Sequence, residues 1–401
     1  MGTGAATRLA IDGGTPVRAT LLPYAHQVIS DDDVAAVGEA LRSDWLTTGP
    51  RVPAFEGLLS EATGARHAVA FSSGTAALHG AAVAAGLGPG DEAITTPMTF
   101  VATANALLYA GATPRFVDVT PDDLLISPDA VAAAITPRTR AVVAVDYAGH
   151  PADYDALRRI ADAAPGGRAT LIADAAHSLG AARGGRAVGT LADMTVLSLH
   201  PAKIMTTGEG GAVLTDRDDL ATALRRFRNH GISTELADRR DWTYAMVELG
   251  YNYRLTDIAA ALGSSQIRRL GEFLERRRAL ATRYMDRLAA HHAVDVPSIA
   301  DDADPAWHFF FVRLRLDRLS VDRGMVFRAL RAENIGVNVH YIPVHTHPYY
   351  RQRQPGVSMP IAEAAYERLL TLPLHAGMSD ADVDDVLRAL DKVAEAYLVA
   401  S

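Results

Sequence analysis

From residue 68 onward the chain alternates short apolar runs with helical patterns, and this alternation most narrows the folds open to it. Ala68-Val-Ala-Phe71 leads into a helical pattern from Ala76 to Leu87, and Glu92-Ala-Ile-Thr95 into one from Ala102 to Tyr109. Arg115-Phe-Val-Asp118, Ala141-Val-Val-Ala-Val145, Thr170-Leu-Ile-Ala173, Met194-Thr-Val-Leu-Ser-Leu199 and Ala212-Val-Leu214 continue the series of apolar runs. Strands of this kind separated by helices predict an α/β domain with a mainly parallel sheet covered on both faces. In such sheets binding residues gather at the strand ends.

The flanks read differently. After an irregular arm, Ser30-Asp-Asp-Asp33 is an acidic helix start, with Val34 to Leu41 as its apolar face. Beyond Thr256 a long helical stretch runs through Ile267, Leu270, Phe273 and Leu274 to Leu288. The strand-like Phe309 to Leu316, a helix from Val321 to Ala332, the strand-like Val337 to Ile342 and further helices then make a smaller α+β unit. The expected organisation is an N-terminal arm (1–29), a large domain (30–265) and a small C-terminal domain (266–401).

Several functions are disfavoured. Net charge is −8 with no basic block, so a nucleic-acid partner has little electrostatic support. The absence of cysteine removes disulfides, thiolate zinc sites and cysteine nucleophiles. The first residues lack the apolar core of a signal peptide, and no run approaches the roughly 18 apolar residues of a membrane span, so a soluble cytoplasmic protein is expected. His340, His345 and His347 read as loop residues rather than a metal cluster, and His291-His292 as a solvated helix end.

Of 39 basic residues only Lys203 and Lys392 are lysine. A desolvated ε-amine can lose its proton and attack a carbonyl; guanidinium cannot. Lys203 follows the apolar run Met194 to Leu199 and precedes Gly208-Glu-Gly-Gly211, which places it in a loop between two core strands. Lys392 lies in a terminal helical pattern, Val383 to Leu398, and is expected to face solvent.

Two further features join it. Phe71-Ser-Ser-Gly-Thr-Ala-Ala77 ends a strand and opens a helix, where glycine, hydroxyls and free amides serve either as a plain cap or as a phosphate cradle. Asp174, at the end of the run Leu171-Ile-Ala, needs a donor or cation, either by capping the next helix or by pairing with a protonated ring nitrogen; His177 follows one turn on. A phosphate anchor, a ring-nitrogen partner and an imine-forming amine are together the parts that pyridoxal 5′-phosphate requires.

The chain also resembles the DegT-type nucleotide-sugar aminotransferases of the aspartate-aminotransferase fold from about Leu22 to Ala396. The resemblance is carried by Ser73-Gly-Thr-Ala-Ala-Leu78, Gly88-Pro-Gly-Asp-Glu92, Thr99-Phe-Val-Ala-Thr-Ala-Asn105, Asp174-Ala-Ala-His177, Ser198-Leu-His-Pro-Ala-Lys203, Thr207-Gly-Glu-Gly-Gly211 and Gly250-Tyr-Asn-Tyr-Arg-Leu-Thr-Asp257. It implies a fold type I pyridoxal-phosphate transferase, with a large mainly parallel-sheet domain and a smaller C-terminal α+β domain. Lys203 would hold the cofactor and shuttle a proton, Asp174 would keep the ring nitrogen protonated, Phe100 would stack on the ring and His177 would approach its phenolic oxygen. Gly74, Thr75 and Ser198 would bind the phosphate, and Asn252 would reach it from a neighbouring subunit, making a homodimer with shared sites. Tyr24, Arg254, His340 and Tyr341 are candidate substrate contacts.

Gly336-Val-Asn-Val-His-Tyr-Ile-Pro-Val-His345, Pro348-Tyr-Tyr350 and Pro23-Tyr-Ala-His-Gln27 look most like the branch acting in pseudaminic acid synthesis, although Thr346-His347 stands where that branch has Leu-Gln. That resemblance implies transfer from L-glutamate to C4 of a UDP-linked 4-keto-6-deoxy-N-acetylhexosamine, forming UDP-4-amino-4,6-dideoxy-N-acetyl-β-L-altrosamine. Another nucleotide-sugar aminotransferase, of the GDP-perosamine or dTDP-amino-sugar type, is the nearest alternative. A sugar 3-dehydratase would carry histidine in place of Lys203, and a cofactor-binding regulatory protein would not turn over glutamate.

Overall fold

The computed structural model describes residues 8–233 and 241–399. Its main sheet has seven strands: β1 (His67–Phe71), β2 (Glu92–Thr95), β3 (Thr113–Phe116), β4 (Thr139–Val145), β5 (Thr170–Asp174), β6 (Met194–Ser198) and β7 (Gly211–Thr215). The spatial order is β1-β7-β6-β5-β4-β2-β3, and β7 is antiparallel to both of its neighbours while the other pairings are parallel. Alternate residues of each strand feed opposite cores. Ala68, Ala70, Val142, Ala144, Leu171 and Leu197 pack on one face, and Val69, Phe71, Val143, Ile172, Val196 and Val213 on the other. This is why the runs are apolar at successive positions.

The helix α1 (Asp31–Arg42) is present and starts at a Ser30 capping box. Its expected apolar face is not the buried one. Val34 and Leu41 are exposed, whereas Asp33 and Ala40 are buried. Asp33 is tolerated inside because it accepts hydrogen bonds from the Ser30 amide (2.9 Å) and Gln266 Nε2 (2.6 Å).

The stretch beyond Thr256 divides into α2 (Asp257–Gln266), a short 3₁₀ turn and α3 (Leu270–Leu288). Leu270, Phe273 and Leu274 of α3 join the core beside the large sheet. Leu280, Tyr284 and Leu288 join a second core built on the three-stranded sheet β8 (Val294–Asp295), β9 (Phe310–Leu314) and β10 (Leu369–Leu372). Leu9 and Leu22 of the N-terminal arm are seated in that second core. Val337 to Ile342 is not a strand: its ladder contact is a single bridge, Asn338 to Thr371.

Lys392 does not face solvent. Its ammonium contacts the fully buried Glu333 at 2.8 Å and the Thr15 carbonyl at 2.9 Å, tying the last helix to the arm. His291 is likewise mostly buried, with Nε2 3.1 Å from Asp391 Oδ1.

β1 is an edge strand, and its exposed ladder is closed by side chains rather than by another strand. The Ala70 amide donates to Glu56 Oε1 (2.8 Å), Arg228 Nη1 donates to the Ala70 carbonyl (2.8 Å), and Arg228 pairs with Glu56. The Ser72 amide donates to the Tyr253 carbonyl (2.8 Å). Both members of the Glu56–Arg228 pair are largely buried. Glu56→Ala strands the guanidinium and the Ala70 amide, so it is expected to cost about 3 kcal/mol and to lower the urea midpoint. Glu56→Gln retains an acceptor and should lose less.

Candidate active site

Six of the seven strands run the same way, so Phe71, Val145, Asp174 and Ser198 end at one edge of the sheet, and antiparallel β7 begins there at Gly211. A cavity of about 610 Å³ opens at this edge. Of the predicted residues, Tyr24, Gly74, Thr75, Phe100, Asp174, His177, Ser198, Lys203, His340 and Tyr341 line it. Asn252 and Arg254 do not. Asn252 is exposed and forms a bridge with Asn229. Arg254 donates to Asn229 Oδ1 (2.8 Å) and lines an adjoining cavity of about 430 Å³, with Glu209 on the boundary of both.

One wall is the start of the helix Gly74–Ala84. Ser73 is its N-cap and accepts from the Ala76 amide at 3.1 Å, so the plain cap is present. The amides of a first helical turn have no intrahelical acceptor and present partial positive charge. Space at this turn is tight. A Cβ on Gly74 would lie 3.0 Å from Ser198 Cβ, and one on Gly211 would lie 2.6 Å from the Ser73 carbonyl oxygen. The two glycines let three chain segments converge around these amides and the Ser198 hydroxyl, a donor set that fits a phosphate.

Asp174 ends β5, where Thr103 Oγ1 donates to its Oδ2 at 2.6 Å and the Ala176 amide to its Oδ1 at 3.3 Å. Burial raises its pKa, against which these hydrogen bonds and the nearby Lys203 charge favour the ionised form. Lys203 is on the loop after β6, and burial brings its amine down to about 8, with Asp174 opposing the shift. The lysine thus keeps a substantial neutral fraction near physiological pH.

The opposite wall is aromatic. Tyr341 OH and His177 Nε2 are 2.9 Å apart, and the two rings lie nearly parallel at 6.0 Å. His340 Nδ1 is 2.9 Å from Thr371 Oγ1, and its ring stacks on Phe309 at 4.6 Å. Burial holds His177, His308 and His340 neutral, and the Lys203 charge acts in the same direction. Nδ1 of His177 and Nδ1 of His308 are buried with no partner among the described residues, so each of these two cavity-lining histidines keeps one unsatisfied ring nitrogen. A polar, ring-shaped ligand carrying a phosphate fits these donors, the acidic Asp174 and the reactive amine.

Sequence reasoning overlooked Thr103, Thr99 and His308. Thr103 lies in the motif Thr99 to Asn105, yet its bond to Asp174 crosses 71 residues of sequence, so nothing local signals it. His308 sits in an apolar run that reads as core, and its place at the cavity depends on Trp307, whose φ of 54° turns the chain there.

The depressed amine gives a direct test. Acetylation of cofactor-free protein, mapped by mass spectrometry, should show Lys203 reacting with a midpoint near pH 8. In the urea-unfolded chain the midpoint should move up to about 10.4. An unchanged midpoint on unfolding would contradict the desolvated site.

Residues 27–391 match the DegT/DnrJ/EryC1/StrS aminotransferase family. Among solved structures, Helicobacter pylori PseC, an aminotransferase involved in the biosynthesis of pseudoaminic acid, is 29% identical with a TM-score of 0.88, covering 94% of this chain and 100% of that one. The sugar aminotransferase CalS13 from Micromonospora echinospora is 32% identical, TM-score 0.86, with 94% and 100% covered. The pyridoxal-phosphate form of the putative sugar aminotransferase Spr1654 from Streptococcus pneumoniae is 29% identical, TM-score 0.88, with the same coverage. The chain belongs to the DegT/DnrJ/EryC1/StrS aminotransferase family and is a pyridoxal-phosphate-dependent aminotransferase.

Proposed function

We propose that this aminotransferase moves an amino group from L-glutamate to C4 of a UDP-linked 4-keto-6-deoxy-N-acetylhexosamine, forming UDP-4-amino-4,6-dideoxy-N-acetyl-β-L-altrosamine for pseudaminic acid synthesis. The observation that carries the chemistry is the convergence of a desolvated Lys203 amine, the Asp174 carboxylate and the Gly74–Thr75 helix start on one cavity. The choice of sugar rests on the likeness to the Helicobacter pylori enzyme and on the segments Pro23 to Gln27 and Gly336 to His345. Other sugar aminotransferases are similarly alike, so nucleotide and sugar are the points to be measured.

When bound, pyridoxal phosphate supplies an electron sink that stabilises negative charge at the amino-bearing carbon. Gly74, Thr75 and Ser198 bind its phosphate, and Phe100 contacts the ring. Asp174, held by Thr103 and the Ala176 amide, keeps a ring nitrogen protonated. Lys203 Nζ, neutral in part, accepts the proton released from the amino donor and returns it to the acceptor side. His177, with its Nε2 engaged by Tyr341, lines the cavity and would approach the phenolic oxygen of the cofactor. Tyr24, His340 and Tyr341 contact the substrate.

No arginine lines the cavity among the described residues, whereas glutamate and a nucleotide diphosphate both bring negative charge. We assign Asn252 and Arg254 to the site of a second subunit, which would supply a cation and complete the phosphate pocket. Exposed Tyr251, Leu249 and Met246 just before them are apolar surface that a second copy would cover.

Product identification by NMR with glutamate and the UDP-4-keto sugar tests the substrate; turnover of only GDP- or dTDP-linked keto sugars would overturn it. Lys203→Arg should abolish 2-oxoglutarate release, and Asp174→Asn should retain the fold while slowing turnover by about a hundred-fold or more. Near-normal turnover of Asp174→Asn would show that another group protonates the ring.

The shared site has its own test. Mixing Lys203→Ala with Asn252→Ala protomers, under verified subunit exchange, should raise activity above that of either variant. No recovery would place Asn252 in the site of its own subunit.

A further inference from the structure

Arg277 lies in the middle of α3 and is 1% exposed. Its neighbours Arg276 and Arg278 are ordinary: they pair with Asp380 and Asp304 near the surface. Arg277 has no carboxylate partner among the described residues. Instead Nη1 donates to the carbonyls of Trp307 (3.1 Å), His308 (3.0 Å) and Leu374 (3.1 Å), and Nη2 to the carbonyl of Lys203 (3.3 Å). Burying a guanidinium this way is costly, and an apolar side chain of similar volume would pack there at lower cost. Stability alone is a weak reason for the residue.

The four carbonyls explain it better. They come from the lysine loop, from the segment that carries cavity-lining His308, and from the residue two positions beyond β10. One planar fork therefore fixes the Lys203 main chain against the cavity wall across the junction of two cores. The loop needs such a tie. Its own hydrogen bonds are local, with Lys203 N donating to His200 O (2.8 Å) and Thr207 N to Leu199 O (3.0 Å). Behind it lies a void of about 10 Å³, room for one water, lined by Lys203, Met205, Phe273 and Arg277. Ile204 and Met205 pack into the core beside this gap, and the Arg277 bond adds a tie to the Lys203 main chain itself.

We propose that Arg277 is a positioning residue, which holds the Lys203 backbone so that its amine is presented, desolvated, to Asp174 and the reacting carbon. The inference rests on the assignment of Lys203 as the reacting amine. The titratable groups facing that amine are Asp174, His177, His308 and His340. Arg277 itself stays cationic, since burial lowers it only to about 10.

The test compares the full chain with Arg277→Met and Arg277→Lys. In cofactor-free protein, acetylation of Lys203 is followed against pH by mass spectrometry, with labelling of Lys392 as the internal control. Both variants should fold, as judged by circular dichroism and melting. In both, the Lys203 midpoint should rise by about one pH unit as the released loop hydrates the amine. Their kcat should fall about ten- to a hundred-fold while KM changes less than about three-fold, because a small displacement of the reacting group acts on the chemical step. Lysine keeps the charge but cannot span all four carbonyls, so Arg277→Lys should restore melting more than it restores kcat. A folded variant with wild-type midpoint and kcat overturns the proposal. Failure of both variants to fold also overturns it, because the residue would then serve the fold. A wild-type midpoint near that of an ordinary lysine would remove the assignment of Lys203, and the inference with it.

Discussion

An amine and a carboxylate are buried together at one end of the large sheet, and their surroundings work against both charges. Burial lowers Lys203 and raises Asp174, while each favours the charged form of the other. Desolvation leads the balance at both. At Asp174 it is opposed by hydrogen bonds from Thr103 Oγ1 and a backbone amide as well as by the lysine charge, whereas at Lys203 it is opposed by Asp174 alone. An amine partly neutral near pH 8 can act as nucleophile and base, and a fixed carboxylate can hold a proton on a ring nitrogen. Both roles call for the deprotonated form, neutral at the amine and charged at the carboxylate, within one low-dielectric pocket.

The sheet makes that pocket affordable in backbone terms. β5 and β6 are hydrogen-bonded neighbours, so the residue ending one and the loop following the other leave the sheet side by side. β7 turns back between β6 and β1 and brings Gly211 under the helix start, where any side chain would strike the Ser73 carbonyl. Glycine is required there by the close approach of two main chains. The alternating division of strand residues between two cores keeps this edge rigid while leaving its loops free to carry chemistry.

What could be read in the sequence was set by local pattern. Strand runs stood out because both faces of the sheet are covered, and Lys203 stood out because the chain otherwise uses arginine. What could not be read depends on partners far away in the chain. Lys392 looks like a surface lysine on a terminal helix until Glu333 and Thr15 are seen beside it. Val34 and Leu41 have the spacing of a buried face, yet Asp33 is the buried residue, because Gln266 of α2 supplies its donor. Of the run Arg276-Arg277-Arg278, nothing local says that the middle residue points inward. Val337 to Ile342 has strand composition but finds only one bridge to a neighbouring strand, so its side chains serve the cavity wall instead.

The exposed apolar residues at the end of α1 and just after it bear on the same question as the cavity. Leu46 accepts the amide of Asp257 through its carbonyl, and Thr47 bridges Thr256, so the exposed Leu41, Trp45 and Leu46 stand beside the segment that carries Arg254. A free surface of this composition is costly in water, and a cavity with no arginine among the described residues is poorly matched to acidic substrates. The proposed second subunit would answer both: burial of the apolar face would supply the driving force for association, and association would carry Asn252 and Arg254 to a neighbouring cavity. The charge needed for substrate binding and the apolar area needed for pairing lie side by side on the surface, joined by the Leu46–Asp257 and Thr47–Thr256 contacts, so that assembly would be coupled to completion of the site.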